Sequence, residues 1–163
     1  MRLAAALLLS ALTVAACSRE ERDPAPPAGA PEPPAVLAGV DLAQPVRALG
    51  TEPFWSADLS GAAMTWNNAD GATARADQPD PVVQGTTATF TAESADGQTF
   101  EVVLIATECS DGMSDRLYPL VAQVTVGERK LNGCAASRAA LMVAPESGPV
   151  EAPAAPAAPQ PPA

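Results

Sequence analysis

The sequence predicts an all-β fold: a small antiparallel meander or β-barrel of about six to seven strands with one disulfide, flanked by disordered Pro/Ala-rich arms. Three observations lead to this class. Short segments in the middle of the chain alternate apolar and polar residues between tight-turn signals, as half-buried strands do. Proline and alanine are concentrated toward both ends. The middle also contains two cysteines, Cys109 and Cys134.

The distribution of proline separates the folded part from the arms. Of 18 prolines, six lie in residues 24–34 and seven in residues 145–162. Such segments lack the hydrophobic periodicity that a core needs. We therefore expect a Pro/Ala-rich tether over residues 17–42, a β domain over residues 43–140 and a disordered tail over residues 141–163.

The first residues have the pattern of a secretion signal. Arg2 precedes an apolar run over residues 3–12, and Ala15 and Ala16 are the small residues that a signal peptidase accepts. The run is shorter than the roughly 20 residues that a membrane-spanning helix needs. Residues 1–16 are therefore predicted to be a signal peptide.

The signal ends in Val14-Ala15-Ala16-Cys17, which resembles the bacterial lipobox. The resemblance implies cleavage before Cys17 and acylation of that cysteine, for example with palmitate, so that the chain is anchored in a lipid bilayer. Two or more acyl chains hold a protein stably on a membrane. Ser18 resembles the class sorted to the outer membrane, facing the periplasm. The alternative is an ordinary signal peptide followed by an unrelated cysteine.

The strand signals follow in order along the middle of the chain. Residues 54–59 and 62–67 form a predicted hairpin, and residues 73–76 a short third strand. Prolines at positions 79 and 81 should interrupt pairing, because proline removes a ladder donor. Further strands are predicted over residues 86–93, 99–107, 118–126 and 130–135, with one helical turn over residues 136–141.

The two remaining cysteines are expected to pair. An exported domain folds in an oxidising compartment, where a disulfide is the default. Closing a loop of about 25 residues should stabilise the domain by roughly 3 kcal/mol. The alternative is a redox-active or metal-binding pair, although Cys109 and Cys134 lack the C-x-x-C spacing typical of such sites.

Charge and composition exclude several function classes. The formal net charge is −10, from 19 acidic and 9 basic residues, so a nucleic acid is not an expected partner. The charge favours a solvated surface or a basic protein partner. The absence of histidine removes the commonest general base and zinc ligand. We expect no cofactor, no resident metal and no enzymatic activity.

Three separated stretches resemble a known family. They are Gly50-Thr51-Glu52-Pro53-Phe54-Trp55, then Cys109-Ser110-Asp111-Gly112-Met113-Ser114-Asp115-Arg116-Leu117-Tyr118-Pro119, and Leu131-Asn132-Gly133-Cys134-Ala135. Together they resemble a family of small bacterial membrane lipoproteins that carry G-T-E-P-F-W and C-S-D-G-M-S-D-x-x-Y-P…G-C-A motifs. The resemblance implies a cell-envelope location. It supplies no catalytic residues.

Six residues of these stretches are candidates for binding: Glu52, Trp55, Asp111, Asp115, Arg116 and Tyr118. The alternatives are structural. Trp55 begins a strand and is typical of a core residue. Glu52 is expected to bond the loop backbone or to pair with Arg116. The acidic loop offers oxygen ligands for a cation such as calcium, but Asp and Ser in loops more often bond nearby backbone amides.

Two function hypotheses remain open. The first is a non-catalytic binding module for an envelope partner or ligand. The second is a structural or stress-related envelope protein without a specific small-molecule ligand. A more distant alternative, by analogy of format alone, is an inhibitor of a wall-degrading enzyme. A binding module should expose a groove or apolar patch around its aromatic residues, whereas a structural protein should bury them.

Overall fold

The computed structural model describes residues 35–151, and within them the chain forms short strands, tight turns and one short helix. In chain order the elements are β1 Val36–Leu37, β2 Val40–Asp41, β3 Val46–Thr51, β4 Phe54–Leu59, β5 Ala63–Asn68, β6 Thr73–Asp77, β7 Val82–Gln84, β8 Thr87–Glu93, β9 Thr99–Ile105, β10 Cys109–Ser110, β11 Asp115–Tyr118, β12 Leu120–Val126, β13 Arg129–Ser137, α1 Arg138–Val143 and β14 Ser147–Pro149. The predicted all-β class is confirmed.

Nine strands form one curled antiparallel sheet, in the order β6-β5-β4-β3-β13-β12-β9-β8-β7. Two meanders meet where β13 pairs with β3, with Ala135 opposite Ala48. The sheet bends into a half-barrel. Its two ends approach each other where the Ala95 amide donates to the Arg75 carbonyl at 3.2 Å. The main sheet has more strands than the six or seven expected, because two of its strands were not predicted: β3, and β7, with which the chain resumes pairing directly after Pro81.

The main core lies on the inner face of the half-barrel, because successive strand residues point to opposite faces. Trp66, Phe90 and Phe100 are its largest fully buried side chains. A second, smaller core lies on the outer face, where Tyr118, Cys134, Ala136, Ala140 and Val150 pack together. Helix α1 and strand β14 contribute to this outer core. This outer core covers part of the outer side of β13, next to the loop that carries the candidate site.

Helix α1 begins two residues later than the predicted helical turn. Strand β13 continues to Ser137, which pairs with Val46. The Ser137 hydroxyl then accepts a hydrogen bond from the Ala140 amide at 3.4 Å and caps the helix. Among residues 35–151, no helix is long and apolar enough to cross a membrane.

The predicted start of the β domain at residue 43 is wrong. Strands β1 and β2 form a hairpin, with Leu37 opposite Val40. The residues between them, Ala38 and Gly39, both have positive φ, as a two-residue hairpin turn requires. Leu37, Val40 and Leu42 are all buried in the main core. The alternating apolar positions determine the fold of this segment despite its alanine-rich and proline-rich surroundings.

The predicted end of the domain at residue 140 is also wrong. Strand β14 pairs in parallel with β11, with Arg116 opposite Gly148, and Val150 is buried beneath it. Pro149 is tolerated because β14 is an edge strand. Val40 and Val150 line a common cleft, so the described chain begins and ends on the same side of the domain. The expected signal peptide, Cys17 and the last residues of the expected tail lie outside the described residues.

Candidate functional site

The loop between β10 and β11 is organised around the carboxylate of Asp111. Its Oδ1 accepts hydrogen bonds from the amides of Met113 at 2.9 Å and Ser114 at 2.8 Å. Its Oδ2 accepts from the Ser114 hydroxyl at 2.9 Å and from the Tyr118 hydroxyl at 2.8 Å. Gly112 supplies the positive φ that the turn needs. Both carboxylate oxygens are therefore occupied by groups of the protein itself.

These contacts fix the charge of Asp111. Partial burial favours the neutral acid, but the amides of Ser114 and Met113 and the hydroxyl of Tyr118 outweigh that effect and lower the pKa to about 2. Burial and the neighbouring carboxylate raise the pKa of Tyr118. At neutral pH the pair is consequently an ionised carboxylate and a neutral phenol.

The predicted disulfide is confirmed. Cys109 is bonded to Cys134, with 5.5 Å between their Cα atoms. The bond joins β10 to β13 and holds the loop against the outer face of the sheet. The Cys134 side is buried in the outer core, whereas Cys109 is only partly buried. The bond thus acts as a structural cross-link between the loop and the strand beneath it.

Trp55 packs against two glycines rather than facing solvent. Gly50 lies directly opposite Trp55 in the β3–β4 pairing. A methyl group on Gly50 would overlap the indole ring, and one on Gly133 would overlap the Leu49 carbonyl and approach the same ring. Trp55 is 5% exposed. It belongs to the core, so the idea of an exposed aromatic platform at Trp55 is wrong.

An open cleft of about 510 Å³ lies on the outer face, between the sheet and the β10–β11 loop. We call it the β3–β13 cleft. It is lined by Leu49, Gly50, Thr51, Glu52, Cys109, Ser110, Asp111, Gly112, Met113, Val121, Asn132 and Gly133. The Thr51 hydroxyl donates to the Asp111 carbonyl at 3.0 Å and ties the two sides together. The three sequence stretches singled out above meet in this cleft.

The candidate residues divide between this cleft and other places. Glu52 and Asp111 line the cleft. Asp115 and Arg116 lie instead in a separate depression beside Glu146. Tyr118 is 2% exposed and touches the cleft only through Asp111. The structure thus places two of the six candidates in the cleft, bonds Tyr118 to one of them, and puts the other three elsewhere.

The expected pairing of Glu52 with Arg116 is wrong. The Arg116 Nε donates to the Pro145 carbonyl at 2.9 Å. Within residues 35–151 the ion pairs join Arg47 and Arg138 to Asp58, and Arg129 to Asp70. Glu52 therefore has an exposed carboxylate at the rim of the cleft, with no ion-pair partner in the described part of the chain.

Two exposed apolar side chains near the cleft were missed by the sequence analysis. Phe54 is 54% exposed and lies opposite Thr51 in the β3–β4 pairing. Met113 is 68% exposed at the tip of the loop. A signal for Phe54 was available, because neighbouring residues in a strand face opposite sides and Trp55 could not share its face.

The described residues do not assemble a metal centre. No group of three or more Asp, Glu, Cys or His side chains in residues 35–151 is placed to hold an ion. The oxygens of Asp111 are already saturated by four donors.

No protein-family model, curated protein or solved structure matches the chain.

Proposed function

We propose that this chain is a membrane-anchored lipoprotein of the bacterial cell envelope and that its β domain is a non-catalytic binding module. The β3–β13 cleft is the proposed binding surface. One observation carries the proposal: three stretches far apart in the sequence, around Glu52, Met113 and Asn132, converge on this one cleft.

Folding alone accounts for only part of that convergence. Gly50, Gly133 and Trp55 are needed for packing, and the disulfide and Asp111 are needed to hold the loop. Glu52 and Met113 are different, because both are exposed. Exposed side chains gathered around a formed cleft are available to a partner.

The second candidate is a structural or stress-related envelope protein without a specific ligand. It is favoured by the burial of Trp55, Trp66 and Tyr118, each at most 5% exposed. These rings are not available for contact with a partner. A binding function must therefore use the cleft and its exposed neighbours, and the two candidates differ in whether that surface is occupied in the envelope.

Site-specific photo-crosslinking separates these candidates. A photoreactive amino acid at Met113 in the full chain should crosslink a discrete species in intact envelopes. The matched control places the same group at Val82, which is 61% exposed on edge strand β7. Glu52→Ala should reduce the yield of the Met113 adduct. If Met113 and Val82 give the same pattern, or neither gives an adduct, the structural candidate replaces the binding module.

The anchor is proposed from the sequence pattern around Cys17. The proposed location is the outer membrane, with the domain facing the periplasm. Cys17→Ser should abolish acylation and release the chain from membranes. Retention of the unacylated variant in the membrane fraction would contradict this assignment.

A further inference from the structure

We infer that the β3–β13 cleft takes a cationic, extended peptide segment of a partner protein, with an apolar side chain of that segment covering the floor of the cleft. The inference rests on the proposed binding function. It adds the chemical class of the partner, and three features of the cleft carry it.

The first feature is an apolar row on the outer face of the sheet. In cross-strand register, Leu49 of β3 lies opposite Cys134 of β13, which lies opposite Val121 of β12. Residues in register share a face. Leu49 and Val121 line the cleft and remain partly exposed. The floor thus offers apolar surface that the domain itself leaves uncovered.

The second feature is the pair of exposed apolar side chains near the cleft. Met113 extends from the loop, and Phe54 lies beside Thr51 on the opposite side. A methionine side chain is flexible and polarisable, so it adapts to different apolar partners. An apolar floor flanked by Met and Phe, with polar residues around it, is the usual anatomy of a protein-binding surface.

The third feature is the sign of the charge. The charged residues that line the cleft are Glu52 and Asp111, both acidic. Asp111 is ionised at neutral pH and adds to the negative potential of the cleft, but its oxygens are already hydrogen-bonded. Glu52 is therefore the carboxylate that is free to contact a ligand. Arg116 lies outside this lining, in the depression beside Glu146, where its Nε donates to the Pro145 carbonyl. The net charge of −10 adds a long-range attraction for cations.

Size and shape favour a peptide over a small ion. A cleft of about 510 Å³ is in the range that holds a small molecule or a few residues of an extended chain. The pairing of β3 with β13 stops at the Leu49–Cys134 pair, and the cleft extends beyond it over Gly50 and Gly133. A bare cation would find only Glu52 as a free carboxylate in the lining.

The test uses the purified full chain and two fluorescent peptides that differ only in charge, one with lysines flanking a central leucine and one with glutamines at those positions. We expect the lysine peptide to bind about fivefold more tightly or better at about 20 mM NaCl, and the difference to shrink at about 200 mM NaCl. Glu52→Gln should weaken binding of the lysine peptide about twofold to fivefold. Met113→Ala should weaken both peptides about threefold.

The matched control is Glu128→Gln, an exposed acid in the turn between β12 and β13 and outside the lining of the cleft. It should leave the affinity unchanged. Equal binding of the two peptides, or equal losses for Glu52→Gln and Glu128→Gln, would overturn the inference. A Met113 photo-adduct without any preference for the lysine peptide would leave the binding module standing and remove its cationic partner. Absence of both the Met113 photo-adduct and the preference for the lysine peptide would contradict both the binding module and its cationic partner.

Discussion

The hydroxyl of Tyr118 donates a hydrogen bond to Oδ2 of Asp111 at 2.8 Å. The phenol ring belongs to the outer core, whereas the carboxylate organises the tip of the β10–β11 loop. This one contact therefore joins a wall of the β3–β13 cleft to the packed interior. The order of the loop and the stability of the domain should respond together when it is changed.

Tyr118→Phe removes the hydrogen bond and keeps the ring. We expect the free energy of unfolding to fall by about 1–2 kcal/mol, because the partly buried carboxylate loses a donor. Urea denaturation measures this change. Thr91→Val, which removes an exposed hydroxyl bonded to Glu101, is the control and should cost less. Equal losses in the two variants would show that the Tyr118 hydrogen bond stabilises the domain no more than an exposed one does.

Stability should fall in acid because of Asp111. Its folded pKa of about 2 lies below the ordinary value of 3.8, so its contribution is complete above about pH 4 and is lost as pH falls toward 2. The side chain is partly exposed, so we expect a contribution of roughly 1 kcal/mol after solvent screening. Urea unfolding from about pH 2 to about pH 7 should give a shallower acid decline in Asp111→Asn than in wild type. Identical declines would contradict this assignment.

Loss of the disulfide between Cys109 and Cys134 should destabilise the domain. The double variant Cys109→Ala, Cys134→Ala opens a loop spanning 25 residues, and we expect it to lower the free energy of unfolding by about 3 kcal/mol. Thermal or urea unfolding under non-reducing conditions measures the change. Cys17→Ser is the matched cysteine control and should leave unfolding of the domain unaltered. A double variant as stable as wild type would show that the disulfide does not stabilise the domain.

The contact between Gly50 and Trp55 should appear as coupling between two substitutions. Gly50→Ala places a methyl group in the space of the indole ring, so we expect a loss of about 2 kcal/mol or more. In a Trp55→Ala background the same substitution should cost less, because the ring is gone. A double-mutant cycle by urea denaturation measures this difference. Strict additivity would show that the overlap is relieved elsewhere.

Much of the fold was predictable from sequence because its signals are local. Alternation and turns located most strands, and two cysteines in a chain expected to be exported indicated the disulfide. The orientation of Phe54 and Trp55 was less accessible. Alternation says that they face opposite sides, but the glycines at positions 50 and 133 decide which ring is buried.

The remaining errors come from long-range contacts. The burial of Leu37 and of Val150 depends on strands distant in the sequence, so composition alone placed both domain boundaries wrongly. The same is true of Arg116. Its parallel pairing with Gly148 and its bond to the Pro145 carbonyl turn it away from Glu52, although both residues lie in stretches that meet at the cleft.

The closeness of the two ends of the described chain has a mechanical consequence. Because Val40 and Val150 line one cleft, force applied through the two flanking segments acts on one side of the domain. The short hairpin β1–β2 and the edge strand β14 should bear that load and peel first, while the nine-stranded sheet stays out of the path. Such a domain can be inserted into a longer polypeptide as a side loop without stretching its core.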